Sequence, residues 1–235
     1  MANLLLIRHG QASFGAENYD QLSPLGQRQA DITGEYLNAT GVTLGAAYSG
    51  DLSRQRETAS RALAGLDNPP ELQIDARFNE VRNDEQLEVL SPILLERDPA
   101  FKALVDRSET ESKAFQKVIA AVFNEWVRPG CEVEGMQSWQ DYHAGVTSAL
   151  QAVMHSAESG TDSAIFSSGG TIATMVAHVL KLPADRVYEF YEPVFNCSIT
   201  RVIFSRDRSS LSTYNEISHL QLLSAELNER LVTYR

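Results

Sequence analysis

Short apolar runs alternate with longer amphipathic segments along this chain. Residues 4–7 form a continuous apolar run, which is typical of a strand buried on both faces of a sheet. Similar runs predict further strands at 46–49, 72–78, 163–167, 200–204 and 212–216. Because helical patterns separate most of these runs, the sequence predicts an α/β fold: a three-layer α/β/α sandwich with a mostly parallel central sheet and helices on both faces.

Helix signals lie between the predicted strands. Ser23 is a favourable N-cap and Pro24 suits the first helical turn, so a helix is predicted from residue 24 toward residue 37. Apolar residues at helical spacing predict further helices after Arg54, over 139–155 and over 172–180.

A long helical pattern interrupts the alternation between residues 85 and 127. Pro92 and Pro99 predict that this stretch is divided into shorter helices. We interpret residues 84–138 as a helical excursion from the sheet, forming a lid or wall over a site and setting its specificity. Since no internal repeat or linker is visible, residues 1–235 are predicted to form one domain.

Charge and cysteine content narrow the functional classes. The net charge of −11 and a pI of about 4.9 disfavour nucleic acid and anionic membranes as partners. Cys131 and Cys197 lack metal-ligand or disulfide spacing, so both are interpreted as small buried residues in a reducing compartment. Residues 1–3 show no basic segment of a secretion signal and no long apolar run follows, so a cytoplasmic protein is expected.

Polar residues follow three predicted strands. They are Arg8-His9-Gly10, Arg54, and Ser168-Gly169-Gly170. Ligands of open α/β sheets bind beyond the carboxyl ends of the strands, so we expect these groups to converge. Arginine forks match phosphate oxygens, and a helix beginning at a glycine pair adds backbone N–H donors. The pattern therefore predicts an oxyanion site.

Several motifs together resemble a known family. The segments LLIRHGQ at 5–11, LSPLGQRQA at 22–30 and SGDLSRQRETA at 49–59 resemble, in order and interval, the signatures of the histidine phosphatase (phosphoglycerate mutase-like) superfamily. The segments SSGGTI at 167–172 and NCSIT at 196–200 resemble its later segments more loosely, and the middle of the chain resembles nothing specific.

The resemblance implies roles for individual residues. His9 is expected to attack a phosphate monoester and become phosphorylated, while Arg8 and Arg54 hold the phosphoryl oxygens. Glu80 fits the position of the family's proton donor. The alternative is that Glu80 is one solvated charge among the acidic residues that follow it. No metal or cofactor is implied.

The chain also departs from the family pattern. Ser168 stands where a second histidine is usual, and beside Gly169 it is expected to give the phosphoryl group only neutral hydrogen bonds. Losing a charged contact of this kind slows phosphoryl transfer by about 10²- to 10³-fold when nothing replaces it. Gly145 falls where an arginine is common, and residues 135–138 lack the usual Gly-Glu-Ser.

None of the other histidines has the context of a replacement. His143 and His155 are predicted to face solvent, His178 to be a core residue, and His219 to belong to a non-catalytic tail. No histidine pair has the i, i+4 spacing of a metal site.

Three functions stay open at this point. The leading interpretation is a metal-independent phosphatase acting on a small-molecule phosphate ester, weakened by the serine at 168. The second is a module of the same fold that only binds phosphorylated ligands. A phosphoglycerate mutase is disfavoured, because no second basic cluster is visible to hold a second phosphate. The apolar segment 220–223 docks either on the body of the protein or on a second copy in a homodimer.

Overall fold

One mixed sheet forms the centre of the protein. The computed structural model describes residues 2–13, 20–108, 110–158, 160–205 and 208–234, and within them six strands pair in the order β3-β2-β4-β1-β5-β6. The strands are β1 (Ala2–Arg8), β2 (Leu44–Ser49), β3 (Leu72–Ile74), β4 (Asp162–Ser167), β5 (Ile199–Ser205) and β6 (Arg208–Glu216). The first four are mutually parallel where they pair, whereas β5 and β6 run antiparallel, which confirms the predicted α/β class.

Helices connect and cover these strands. They are α1 (Pro24–Ala39), α2 (Ser53–Ala64), α3 (Asn83–Arg97), α4 (Pro99–Ser108), α5 (Ser112–Trp126), α6 (Trp139–Ser156), α7 (Gly169–Leu180), α8 (Val187–Tyr191) and α9 (Ser218–Leu227). The predicted cap is present, since Ser23 Oγ accepts a hydrogen bond from the Gly26 N–H at 3.0 Å. Within the described ranges no helix is both long and apolar enough to cross a membrane.

Both faces of the sheet are buried. Along β1, Leu4 and Leu6 belong to the core on the side that carries α3 to α8, whereas Leu5 and Ile7 belong to the core on the side of α1 and α2. Because successive strand residues point to opposite faces, a continuous apolar run is what a two-sided burial requires. All four side chains are fully buried.

The excursion differs from its prediction at one proline. Pro99 does begin a new helix, but Pro92 lies inside α3, which continues to Arg97. A proline at 92 removes the hydrogen bond to the carbonyl of Glu88, and both residues are exposed, so water can hydrate that carbonyl. Leu90 and Leu94 are buried on the opposite face and hold the helix in place.

A second difference concerns the segment predicted as extended over 72–78. Only Leu72–Ile74 is a strand, and Ala76–Phe78 is a 3-10 helix. Asp75 ends the strand, since its carboxylate accepts the N–H of Arg77 at 3.0 Å and caps that turn. The fully buried Phe78 then fixes the chain against the sheet.

Histidine environments were predicted only in part. His155 is exposed as expected, but His143 and His178 are both half-buried. Their ring centroids lie 5.9 Å apart because α6 and α7 are adjacent. His219 is buried against Tyr36 at 4.9 Å, and burial lowers its pKa to about 4.

Other interpretations concern buried side chains. Both cysteines are buried and unpaired, as predicted. The sequence offers Phe14, Tyr19, Trp126 and Trp139 as aromatic residues of either the core or a pocket. Trp126 and Trp139 belong to the core, and Phe14 and Tyr19 lie outside the described residues. In the segment 220–223, Leu220 is buried on the body of the protein and Leu222 is 72% exposed.

Candidate active site

The carboxyl ends of the parallel strands bring the predicted site together. Arg8 pairs with Ser167, and Ser49 lies opposite Phe166, so β1, β4 and β2 end at the same edge of the sheet. A cleft of about 710 Å³ opens there. Arg8, His9, Arg54 and Glu80 all line it. Ser168 and Gly169 are not among its lining residues.

His9 is held in one tautomer. Its backbone N–H donates to Ser167 O at 2.8 Å, which continues the pairing of β1 with β4. Its Nδ1 lies 2.7 Å from Gly10 O. A carbonyl can only accept, so Nδ1 carries the proton and Nε2 is unprotonated. Arg54 Nε donates to that Nε2 at 3.2 Å.

The surroundings of His9 also keep it neutral. Burial lowers the pKa of His9 well below 6.5, and the positive charges of Arg54 and Arg8 lower it further. The hydrogen bond to Gly10 opposes these effects more weakly. The result is an imidazole whose Nε2 carries no proton at neutral pH, so its lone pair can attack a substrate once the hydrogen bond from Arg54 Nε is given up.

Close backbone approach fixes the loop that follows His9. A Cβ at Gly10 would lie 2.3 Å from Gly26 O, and a Cβ at Gly26 would lie 2.1 Å from Gln11 O. The loop's amides are bound by the motif side chains: Thr58 Oγ1 accepts the N–H of Gly10 at 3.0 Å, and Gln29 Oε1 accepts that of Gln11 at 2.9 Å. The motif residues of α1 and α2 therefore hold the segment that carries His9.

The two arginines are held by different parts of the chain. Arg54 Nη1 forms an ion pair with Asp20 Oδ1 at 2.5 Å, and Asp20 Oδ2 also accepts the N–H of Ser53 at 2.7 Å. Arg8 Nη1 donates to the carbonyls of Val194 and Tyr234, the second at 3.0 Å. Both guanidinium groups therefore lie beside His9 in defined orientations.

The C-terminal segment reaches this site through buried amides. Gln29 Nε2 donates to Leu231 O at 2.7 Å and to Thr233 Oγ1 at 2.8 Å. Thr233 Oγ1 donates to Asn196 Oδ1 at 2.9 Å, and Asn196 Nδ2 donates to His9 O at 3.2 Å. This chain of hydrogen bonds connects α1, the C-terminal segment and the backbone of His9.

The side chain of Glu80 lies against the N-terminal end of α7. Its Oε1 accepts the N–H of Val81 at 2.9 Å and that of Gly170 at 3.0 Å. Burial raises the pKa of Glu80 above its usual value, although Arg54 and these hydrogen bonds oppose the shift. Glu80 is therefore an enclosed carboxyl facing the cleft and not one of the solvated acids that follow it.

Ser168 has a different environment from the one expected. It is fully buried, and its Oγ accepts a hydrogen bond from Gln55 Nε2 at 2.8 Å. Gln55 Nε2 also donates to Phe78 O at 3.1 Å. At the start of α7, the backbone N–H of Gly170 donates a hydrogen bond to Glu80. A contact of Ser168 or Gly169 with phosphate stays a prediction.

Sequence reasoning missed four residues that build this site. Asp20 and Tyr234 belong to no motif, and nothing in their neighbourhood signals a role. Gln55 and Asn196 do lie within motif segments, so the position of Gln55 next to Arg54 and that of Asn196 at the start of NCSIT could have drawn attention to them. In the described part of the chain, no three His, Cys, Asp or Glu side chains form a group that could hold a metal ion.

Comparison with protein families identifies the family. The model of the histidine phosphatase superfamily (branch 1) matches residues 4–114 and 105–217. No curated protein matches significantly.

Solved structures share the fold at low identity. A phosphoserine phosphatase mutant from Entamoeba histolytica in complex with phosphoserine is 20% identical, with a TM-score of 0.62 over 94% of this chain and 100% of that one. A phosphoglycerate mutase from Bacillus anthracis is 16% identical, with a TM-score of 0.66 over 93% and 94%. A putative alpha-ribazole-5'-P phosphatase from Escherichia coli is 18% identical, with a TM-score of 0.63 over 92% and 98%. These solved structures show the same fold, and the family match over residues 4–114 and 105–217 shows that the chain belongs to the histidine phosphatase superfamily.

Proposed function

We propose that this chain hydrolyses phosphate monoesters through a phosphohistidine formed on His9. The observation that carries the proposal is the pairing, in one cleft, of a neutral histidine with a carboxyl group whose pKa burial raises. A lowered pKa on the nucleophile and a raised pKa on the acid favour the protonation states that the reaction needs at one pH.

The first half-reaction transfers the phosphoryl group to the enzyme. The Nε2 lone pair of His9 forms the bond to phosphorus while the bond from phosphorus to the ester oxygen breaks. Arg8 and Arg54 hold the equatorial oxygens and stabilise the charge on them. Glu80 gives its proton to the departing oxygen, so the alcohol leaves neutral.

The second half-reaction regenerates the enzyme. Water attacks the phosphorus of the phosphohistidine, and the Glu80 carboxylate takes a proton from that water. The bond between phosphorus and Nε2 breaks, and inorganic phosphate leaves. No step in this sequence uses a metal ion, so we expect activity to persist in EDTA.

The environment of Ser168 supports a slow enzyme. A serine whose Oγ already accepts from Gln55 can offer phosphate at most one neutral O–H. The charge that the family's second histidine would supply is therefore missing from this side of the site. If Ser168→Ala leaves the rate unchanged within about twofold, the serine makes no contact in the transition state.

Phosphate release from an aryl phosphate in EDTA tests the proposal. The wild type is compared with His9→Ala, with Glu80→Gln and with His155→Ala, a control at an exposed histidine. We expect His9→Ala to abolish release, Glu80→Gln to reduce it by about 10²- to 10⁴-fold, and the control to match the wild type.

The alternative outcomes point to the binding module. If the wild type binds phosphate or vanadate in calorimetry and releases no phosphate from any ester, the site only binds phosphorylated ligands. If release from the wild type survives His9→Ala, the nucleophile is not His9 and the proposal is wrong.

The pH dependence gives a second test. Activity requires His9 without its proton, which is favoured above a pKa that lies below 6.5, and Glu80 with its proton, which is favoured below a pKa that lies above 4.5. The rate should therefore fall on the alkaline side as Glu80 ionises. That alkaline limb should be absent in Glu80→Gln, and its persistence there would assign it to another group.

A further inference from the structure

The cleft extends well beyond the groups that surround the phosphate position. Arg8, His9 and Arg54 lie at its floor, and its volume of about 710 Å³ leaves room for a sizeable alcohol group. The remaining walls come from α3, α5 and α8 and their flanking residues. These walls would contact whatever the phosphate is esterified to.

One wall is apolar and aromatic. Leu87, Phe115, Ile119, Tyr188 and Tyr191 line it together. The Phe115 side chain is 43% exposed and lines the cleft, so part of its apolar surface is open to a bound group. Burial raises the pKa of Tyr191, so this phenol stays neutral. Binding an apolar group against these side chains would remove their surface from water.

The rim of the cleft is acidic. Asp84, Glu85 and Glu192 line it, and Asp84 and Glu192 are exposed. The rim also carries one cation, Arg82, whose Nη1 lies 3.8 Å from Glu85 Oε1 and whose side chain is 66% exposed. A negative group at the rim would meet an excess of like charge.

The other lining cations are at the floor. Arg54 is paired with Asp20 and faces His9, and Arg8 is bound to carbonyls of the C-terminal half of the chain. Among the described residues that line the cleft, the remaining cation is therefore Arg82. Among the described lining residues, a substrate carboxylate or second phosphate would find no cluster of cations comparable to Arg8 and Arg54.

Resting on the proposed phosphatase function, we propose that the substrate is a monophosphate ester whose alcohol is mainly apolar or aromatic and carries no negative charge. A positive charge at its far end is accommodated, because carboxylates at the rim and aromatic faces in the wall both attract cations. Esters that carry a carboxylate or a second phosphate are disfavoured as substrates.

Three aryl phosphates of one shape test the substrate class. They are 4-methylphenyl, 4-(aminomethyl)phenyl and 4-(carboxymethyl)phenyl phosphate, in which a methylene keeps the charge away from the leaving oxygen. We expect kcat/KM for the carboxymethyl ester to be at least about tenfold below that of the methyl ester, and the aminomethyl ester to equal or exceed the methyl ester.

Charge-reversal variants test whether the rim causes the preference. Asp84→Lys and Glu192→Lys change exposed residues of the rim, and Glu88→Lys changes an exposed residue of α3 that does not line the cleft. The double rim variant should reduce the ratio of kcat/KM for the methyl ester to that for the carboxymethyl ester by about tenfold. Glu88→Lys should leave this ratio unchanged. Equal effects per reversed charge in the rim and control variants would assign the preference to net charge and overturn the proposal.

Binding of the matching non-hydrolysable phosphonates separates this proposal from the phosphatase function. If calorimetry shows the same order of affinity but no ester is hydrolysed, the inferred ligand class stands and the phosphatase function fails. If hydrolysis depends on His9 and the carboxymethyl ester is as good a substrate as the methyl ester, the phosphatase function stands and the ligand class is wrong. If no phosphonate binds and no ester is hydrolysed, both are wrong.

Discussion

Two buried glutamines should differ in their contribution to stability. Gln29 of α1 is fully buried, and its side-chain amide is paired throughout: Oε1 accepts from the Gln11 N–H, and Nε2 donates to Leu231 O and Thr233 Oγ1. Leucine has a similar volume but makes none of these bonds. Gln29→Leu leaves the part-buried N–H of Gln11 and the buried carbonyl of Leu231 without these partners, at about 1–3 kcal/mol each, so we expect a loss of about 2–6 kcal/mol.

Gln55 of α2 is buried to the same extent but is only partly satisfied. Its Nε2 donates to Phe78 O and Ser168 Oγ, whereas its Oε1 has no hydrogen-bond donor among the described residues. Phe78 O would keep the hydrogen bond from Ser167 Oγ at 2.6 Å. Gln55→Leu therefore leaves one buried group, Ser168 Oγ, without its donor, but it also removes an unpaired buried acceptor, so we expect a loss of about 1 kcal/mol, smaller than that at position 29.

Urea unfolding of both variants measures the difference. Gln73→Leu is the matched control, because Gln73 is exposed on β3, and its effect should stay within about 0.5 kcal/mol. The midpoints should shift at constant m, with the larger shift for Gln29→Leu. Gln29→Leu should also loosen the C-terminal segment, which carboxypeptidase digestion would detect. Equal losses at positions 29 and 55 would refute the reasoning, since Gln55 Oε1 would then have a partner that Leu removes.

Two further predictions concern stability. Bonds from Arg128 and then Arg97 lower the pKa of Glu125 to about 2, so its contribution is present above its unfolded-state pKa near 4.5 and is lost as the pH falls toward 2. Because both arginines are half-exposed, Glu125→Gln should lower the free energy of unfolding by only about 1–2 kcal/mol at pH 7. In urea unfolding, the difference in this free energy between variant and wild type should narrow below pH 4.5. A difference that stays constant with pH would contradict the prediction. Gly145 lies in α6 with open space around it, so Gly145→Ala should add about 0.5–1 kcal/mol to the free energy of unfolding and raise Tm. Gly26→Ala should lower Tm, because its Cβ would lie 2.1 Å from Gln11 O. The opposite order of Tm values in calorimetry would contradict the assigned packing.

The sequence predicted most of the fold because local patterns carried it. A run such as residues 4–7 suits only a strand buried on both faces, and Ser23 followed by Pro24 specifies a helix start through the hydrogen bond to Gly26. Pro92 shows where this reasoning stops. Whether a proline ends a helix depends on the burial of the opposite face, which the pattern around one residue does not reveal.

The candidate site divides in the same way. Arg8, His9, Arg54 and Glu80 were predicted from strand ends and motifs, and the shared edge of the parallel strands brings them into one cleft. The alternation of strands and helices along the chain predicts a parallel sheet, and the shared edge of such a sheet brings these four residues together.

Only the tertiary structure decided which polar groups are paired. The partners of Arg54, Ser168 and Gly170 are Asp20, Gln55 and Glu80, each more than 30 residues away along the chain. Hydrogen bonds over such separations depend on burial and on the packing of distant elements, and no periodicity in the sequence records them. The sequence by itself determined the fold class and predicted His9 as the nucleophile, whereas the folded chain decided which groups surround His9 and gave the cleft its apolar and acidic lining.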